Sequence, residues 1–324
     1  MVKRVVICAL TVLVAGLSLS ASSQGYPAKP VRFLVGFTPG GSVDLVGRVY
    51  SQKLSETLGQ QVIVENRAGA GSNIAGAAVA KAPPDGYTLF VGSAAGLAGN
   101  LAIYQKMPYN PLTDFTPIAM LAYQANILIV NPSLPTKNVK EFIALAKSRP
   151  SQINVGSGGN GSSQHLSLEA FMKVAGVQML HVPYKGGAQA VTDLLGGQIE
   201  AIFAPLPEAI PHFKAGKVRA LGVTSAKRAG ALPDVPTIKE SGLPGYEFDG
   251  FMGLVGPAAL PQDLVTRLNR EVNNALADSA VKARLLESGL ELGGGTPEQL
   301  AAAMRIQAET MIKLAKDAGI KPVD

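Results

Sequence analysis

The chain has 324 residues, 47% hydrophobic and 16% charged, with 29 Lys and Arg against 23 Asp and Glu. That composition excludes a disordered or low-complexity chain, and at roughly 150 residues per domain the length suits two domains, each able to bury a core. The mildly basic balance has no basic run, no Trp and no patch interleaving aromatic and basic residues, which argues against nucleic acid as a partner and favours small anions.

The first element is a leader. Lys3 and Arg4 precede an apolar run from Val5 to Leu19 and small residues at Ala21-Ser22-Ser23, the pattern of a secretory signal peptide over residues 1–23. The run is shorter than the ~20 residues of a membrane span, so no membrane insertion is expected after cleavage. The single cysteine, Cys8, leaves with the leader, and the mature chain then has no disulfide, thiolate nucleophile or cysteine metal ligand. Removing Lys3 and Arg4 from 29 basic residues leaves 27 against 23 acidic ones, a net charge of +4.

A strand from Val31 to Val35 leads into Phe37-Thr38-Pro39-Gly40-Gly41-Ser42-Val43-Asp44. Pro39-Gly40-Gly41 forces a tight turn, Ser42 is placed to cap the following helix, and Gly59 ends that helix. Its first N–H groups have no internal partners and, with the helix dipole, form an anion socket. Asp44, in the first turn, suits the dipole and is also a candidate ligand contact. The theme recurs: Val62 to Glu65 precedes a Gly-rich turn at 68–72 and an Ala-rich helix, and Thr88 to Val91 precedes Gly92-Ser93-Ala94-Ala95-Gly96. Ligands of open α/β sheets sit at that carboxyl end of the strands.

Residues 104–117 read as irregular. Ile118 to Ala122 and Ile127 to Val130 read as extended segments that carry the chain into a second lobe. A helix over 139–147, capped by Asn138 or Thr136, precedes a strand beginning Ile153-Asn154-Val155. Gly156-Ser157-Gly158-Gly159-Asn160-Gly161-Ser162-Ser163 is then a second anion socket, with Ser163 expected to cap its helix. A strand over 177–182, the turn Pro183-Tyr184-Lys185-Gly186-Gly187, and a short helix bearing Asp193 come next. Further strand and helix alternation to Val223 argues for parallel sheets covered on both faces. Phe248 to Val255 returns the chain to the first lobe. The rest reads as helical, its last helix opened by the capping box Thr296-Pro297-Glu298-Gln299.

Catalytic motifs are weak. Gly156-x-Gly158-x-x-Gly161 lacks the acidic residue expected about 20 positions on to hold a ribose, and Gly216-Lys217 lacks the spacing of a nucleotide P-loop. No Gly-x-Ser-x-Gly elbow is present, although Ser163 and His165 imitate a nucleophile with its base. His165, His181 and His212 share no metal spacing, and His165 with Glu169 supplies only two ligands. No metal, cofactor or catalytic residue is expected. His165 is a candidate ligand contact, and Asp193 either faces solvent or fixes a polar group of a ligand.

Taken together, these residues resemble the periplasmic substrate-binding proteins of tripartite tricarboxylate transporters, the Bug or TctC-like family. The resemblance runs from Tyr26-Pro-x-Lys-Pro-Val-Arg through Pro39-Gly-Gly-Ser-x-Asp44, Val64-Glu-Asn-Arg-x-Gly-Ala-Gly71 and Pro83-Pro-Asp-Gly-Tyr-Thr-Leu89. It continues in the run from His181 to Gln198 and in Leu232-Pro-Asp-Val-Pro-Thr237, so it spans the mature chain. It implies an α/β, two-lobed flytrap fold with a ligand cleft between lobes: residues 24–123 plus 247–324, and residues 124–246. Carried over by position, Phe37, Thr38, Pro39, Gly40, Gly41, Ser42, Asp44, Ser93 and Ala94 would line one wall. Ser157, Gly158, Gly161, Ser162, Ser163, His165, Tyr184, Lys185, Gly186 and Asp193 would line the other. Many relatives carry a small residue where this chain has Phe37, which would either wall the pocket or pack beneath it. The function implied is periplasmic capture of a small carboxylate by a monomer and its delivery to membrane transporter subunits. The alternatives are a secreted serine hydrolase using Ser163 and His165, and a ligand sensor for a signalling partner.

Overall fold

The computed structural model describes residues 25–318 and Pro322; the leader read at residues 1–23 lies outside the described residues. In chain order the elements are β1 (Val31–Val35), α1 (Ser42–Leu58), β2 (Val62–Asn66), α2 (Asn73–Ala80), β3 (Thr88–Ser93) and a short α3 (Ala94–Leu97). There follow β4 (Phe115–Val130), α4 (Val139–Ser148), β5 (Asn154–Ser157), α5 (Ser163–Ala175), β6 (Leu180–Pro183), α6 (Gly187–Leu195), β7 (Ala201–Pro205), α7 (Leu206–Lys214) and β8 (Arg219–Val223). The chain ends through β9 (Asp249–Pro257), α8 (Gln262–Ala277), α9 (Ser279–Glu287), β10 (Leu290–Gly294) and α10 (Pro297–Ala318).

One strand organises the two lobes. The first part of β4, from Phe115 to Ala125, pairs antiparallel with β9 and, on its other edge, with β10. From Asn126 to Val130 the same strand pairs with β7 and β8. β1 lies between β2 and β3 in parallel, and β3 joins β9, which completes the first lobe's sheet. β5 lies between β6 and β7 in parallel on the second lobe's side. Two register shifts against β9, around Pro117 and Met120, add local twist just before the crossing.

Alternation along the strands explains why both faces are covered. In β1, Val31, Phe33 and Val35 point to a core shared with Val46, Tyr50 and Leu54 of α1 and Leu268 of α8, while Leu34 points to the opposite core with Val79, Phe90 and Leu300. In β4, Leu128 and Val130 join Phe142, Phe171 and Phe203 on one side, and Ile127 and Ile129 join Leu194 and Ile202 on the other. A two-residue period with apolar residues in both phases is what a sheet buried on both faces requires.

Several local expectations are corrected. The separate segments at 118–122 and 127–130 are one strand, because β4 finds partners along its whole length. The tail is not wholly helical: Leu290 to Gly294 forms β10, which takes the free edge of β4. The strand expected at 177–182 starts at Leu180. Gly41, not Ser42, is the N-cap of α1; it has no side chain to offer as a cap, and the Ser42 N–H is met by a carboxylate from the other lobe. Ser162, not Ser163, caps α5, accepting from the His165 N–H at 3.3 Å.

Candidate functional site

The loop after β1 is held from beneath by Asp44. Its carboxylate accepts from the Gly40 N–H at 3.0 Å, Arg48 Nε at 2.9 Å and Asn66 Nδ2 at 2.9 Å. Burial by itself would raise the Asp44 pKa, but these donors outweigh it and hold the carboxyl below its ordinary value. Gly40 has φ 84°, a left-handed conformation glycine adopts without steric cost, and it lets the turn aim the start of α1 at the second lobe. Asp44 therefore spends its acceptors inside its own lobe.

The loop after β5 is built the same way. The Gly161 N–H donates to His165 Nδ1 at 3.1 Å, which leaves Nε2 as the protonated nitrogen facing Glu169 at 3.3 Å. The His165 ring stacks on His181, centroids 4.0 Å apart, and His181 Nε2 meets Ser157 Oγ at 2.6 Å. Burial, followed by the proximity of His165, pushes the His181 pKa down to about 3, so that ring is neutral near pH 7. Gly161 has φ 77°, and a β-carbon there would overlap Asn100 Oδ1 of the first lobe. Here the lobes meet with almost no side chain between them.

Between the loops lies a cavity of about 30 Å³, lined by Phe37, Thr38, Gly41, Ser42, Val43 and Ser93 from the first lobe. Gln124 of the crossing strand completes it with Gly158, Ser162, Ser163, Gln164, Gly187, Pro205 and Glu208 of the second. The first turns of α1, α5 and α6 contribute Ser42, Ser163 and Gly187 to this one space, so three helix N-termini converge on it. The buried Gln124 Oε1 and Gln164 Oε1 have no protein partner, nor has Ser93 Oγ.

Of the residues expected at the site, Phe37, Thr38, Gly41, Ser42, Ser93, Gly158, Ser162 and Ser163 line this cavity. Phe37 forms part of the wall and is partly buried. Tyr184 and Lys185 line a neighbouring cavity of about 180 Å³ with Gly69, Gly71 and Tyr104. Tyr184 donates to Asp193 at 2.6 Å, and burial, then that carboxylate, pushes the Tyr184 hydroxyl up to about 12. Pro39 and Gly40 are exposed, while Asp44, Ala94, Ser157, Gly161 and His165 are buried behind the loops. Gly186 packs against Thr38 across the lobes. The Ser163 hydroxyl accepts from Gln124 Nε2, and both ring nitrogens of His165 are engaged elsewhere, so these two residues form no nucleophile and base pair.

Sequence reasoning missed Gln124, Gln164, Gly187 and, above all, Glu208. From the first turn of α7, Glu208 extends across the interface, its Oε1 accepting from the Ser42 N–H at 3.1 Å and its Oε2 from Gln164 Nε2 at 3.3 Å. Burial pushes its carboxyl up to about 7 against the pull of those two donors. By local rules it is an ordinary first-turn acid; only the packing of the lobes carries it to α1. A larger cavity of about 410 Å³ opens at the hinge, with Asp249 and Glu291 as its charged lining residues and no convergence of helix N-termini comparable to that of α1, α5 and α6.

Residues 46–319 match the family described as the tripartite tricarboxylate transporter family receptor. The chain belongs to this family. The receptor is similar throughout its length to three solved structures. R. palustris Rpa4515, solved with adipate, shares 39% identity at a TM-score of 0.90, over 92% of this chain and 100% of that one. The periplasmic binding protein BugD shares 34% at 0.88, over 92% and 100%. MatC from Rhodopseudomonas palustris, with bound malate, shares 32% at 0.86, over 90% and 100%. The expected two-lobed periplasmic-binding-protein fold is thus the fold of the family, a family of receptors and not of enzymes.

Proposed function

We propose that this receptor captures a small organic acid in the cavity between its lobes and presents it, with the lobes closed, to the membrane subunits of a tripartite tricarboxylate-type transporter. The observation that carries the reading is the convergence of three helix N-termini on one space that no Lys, Arg or His lines. Such a site recognises a carboxylate through backbone N–H groups and hydroxyls. The adipate and malate in the titles of the Rpa4515 and MatC structures support a dicarboxylate as one ligand class. Binding at micromolar strength needs about 8 kcal/mol, and charge-assisted hydrogen bonds contribute roughly 1.5–3 kcal/mol each. A handful of them at one or two carboxylates is sufficient after ordering costs.

The lobes we assign are residues 24–123 with 247–324, and residues 124–246. The switch of partners along β4 at Asn126 and the Phe248 N–H to Thr224 bond before β9 support these limits. Closure is a hinge at these two crossings, which joins binding to the surface offered to the transporter. We read the protein as a cleaved, periplasmic monomer that performs no chemistry on its ligand. Among the described residues no helix is long and apolar enough to cross a membrane.

The test is a thermal shift and calorimetric panel of mono-, di-, tricarboxylic and aromatic acids. A ligand at a hundredfold its Kd adds about 2.7 kcal/mol of stability, several degrees in Tm. A panel in which no carboxylate moves Tm or releases heat would defeat the reading.

A further inference from the structure

The charges around the interlobe cavity are the reverse of those an anion site invites. Of the residues lining it only Glu208 carries a formal charge, and that charge is negative. Its two oxygens take the Ser42 N–H at the start of α1 and the Gln164 amide in the first turn of α5. At the start of α6, a β-carbon on Gly187 would overlap Glu208 Oε2 and Gln164 Nε2. A carboxylate of the protein thus bridges the two lobes on the same donors that an organic acid would use.

We propose that Glu208 is an internal competitor for the ligand: its carboxylate holds the position of the ligand's carboxylate, and capture exchanges one for the other. This rests on the carboxylate reading given above. With the lobes together, Glu208 already occupies the Ser42 N–H and the Gln164 amide, and the small cavity beside it leaves a second carboxylate no way to these donors unless Glu208 moves. Two carboxylates on one set of donors would also repel each other in a space with no cation to separate them. Glu208 can yield. Its side chain has three rotatable bonds, so it can swing aside without movement of the α7 backbone. The residue therefore determines specificity, because an acid must offer more than a single carboxylate to repay the displacement of Glu208.

The exchange also depends on pH. The groups facing Glu208 are Gly41 and Ser42 at the start of α1, Gln164 from α5 and Gly187 from α6, with Thr38 and Gln124 lining the same cavity, and none of these titrates near neutrality. The nearest acid below the α1 turn, Asp44, is committed to Arg48, Asn66 and Gly40. Glu208 is thus the group whose protonation changes the cavity's charge, and burial in this seat pushes its carboxyl up to about 7. The seat therefore favours the protonated side chain, and ionisation eases its release to solvent, where the carboxyl regains its ordinary value. Acids already ionised at pH 6 should accordingly bind more tightly as the pH rises towards 8.

The experiment is isothermal titration calorimetry of the mature wild type, E208Q and E208A with adipate and malate, from about pH 6 to about pH 8. Small-angle scattering of the same three proteins without added acid accompanies it. Losing a competitor that holds two hydrogen bonds is worth about tenfold. E208A should therefore bind at least one acid about tenfold more tightly than wild type at pH 6 and scatter as a more open particle, and both variants should show a flat pH profile. Equal or weaker binding by both folded variants, with the wild-type pH slope retained, overturns the proposal. If no variant binds either acid, the titration is extended to the whole panel, whose failure defeats the carboxylate reading separately, and scattering decides on Glu208: opening in E208A supports an internal occupant, whereas an unchanged profile overturns it.

Discussion

Replacing Asp44 with Ala tests how the first socket is built. The carboxylate is 3% exposed and accepts three hydrogen bonds of 2.9–3.0 Å, from Gly40, Arg48 and Asn66. Each bond to a charged group is worth roughly 1.5–3 kcal/mol, and truncation also leaves the Gly40 N–H and the Asn66 amide without their acceptor. Arg48 is exposed and recovers water, so the three bonds do not add in full. We expect a loss of about 2–4 kcal/mol, or about 4–16 °C in Tm at about 2–4 °C per kcal/mol. Urea unfolding followed by circular dichroism measures it. Because the native Asp44 pKa is depressed, its stabilisation is present above the unfolded value near 3.9 and is lost as the pH falls through the lower native value. D44N should therefore lose its disadvantage against wild type only in acid. A D44A loss below about 0.5 kcal/mol, the range of ordinary surface substitutions, would refute the network as the loop's support.

Ser162→Ala removes the cap of α5 and should cost about 1 kcal/mol in the urea midpoint, with weaker carboxylate binding by calorimetry. Gly161→Ala brings a β-carbon onto Asn100 Oδ1 and a side chain to φ 77°, so lobe closure should fail: a protein that folds but loses about tenfold or more in affinity, a change of ~1.4 kcal/mol. Raised pKa values act in the opposite sense from Asp44. The Glu208 contribution is present below the unfolded value near 4.3 and fades as the pH rises through about 7, so wild type should lose about 3–4 kcal/mol relative to E208Q over that span in urea titrations without ligand.

The parts of the fold that were legible are those specified locally. Gly59 ends α1 in the left-handed conformation, Asn138 caps α4 by accepting from the Glu141 N–H, and Thr296 and Gln299 exchange the two bonds of a capping box. Each is fixed by residues within four positions of one another. The two Gly-rich loops were legible for the same reason, since left-handed turns between strand and helix demand glycine. β10 was not, because Leu290 to Gly294 is a short edge strand whose only reason to be extended is the free edge of β4, more than 160 residues away in sequence. Which serine caps α5 depends on a one-residue difference in where helical geometry begins, below what residue preference decides. Glu208 was invisible for a deeper reason. In the first turn of α7 it satisfies a local rule, and its second role exists only once the lobes bring Ser42 within 3.1 Å.

The central claim, that a ligand carboxylate is held at the converging helix N-termini between the lobes, is tested most directly by a crystal structure of the receptor with the tightest-binding acid of the panel. A carboxylate is expected within hydrogen-bond distance of the Ser42 N–H and the first turn of α5, with Glu208 swung off those donors. An acid lodged instead in the hinge cavity beside Tyr123 and Asp249, with Glu208 still bonded to Ser42, would contradict it.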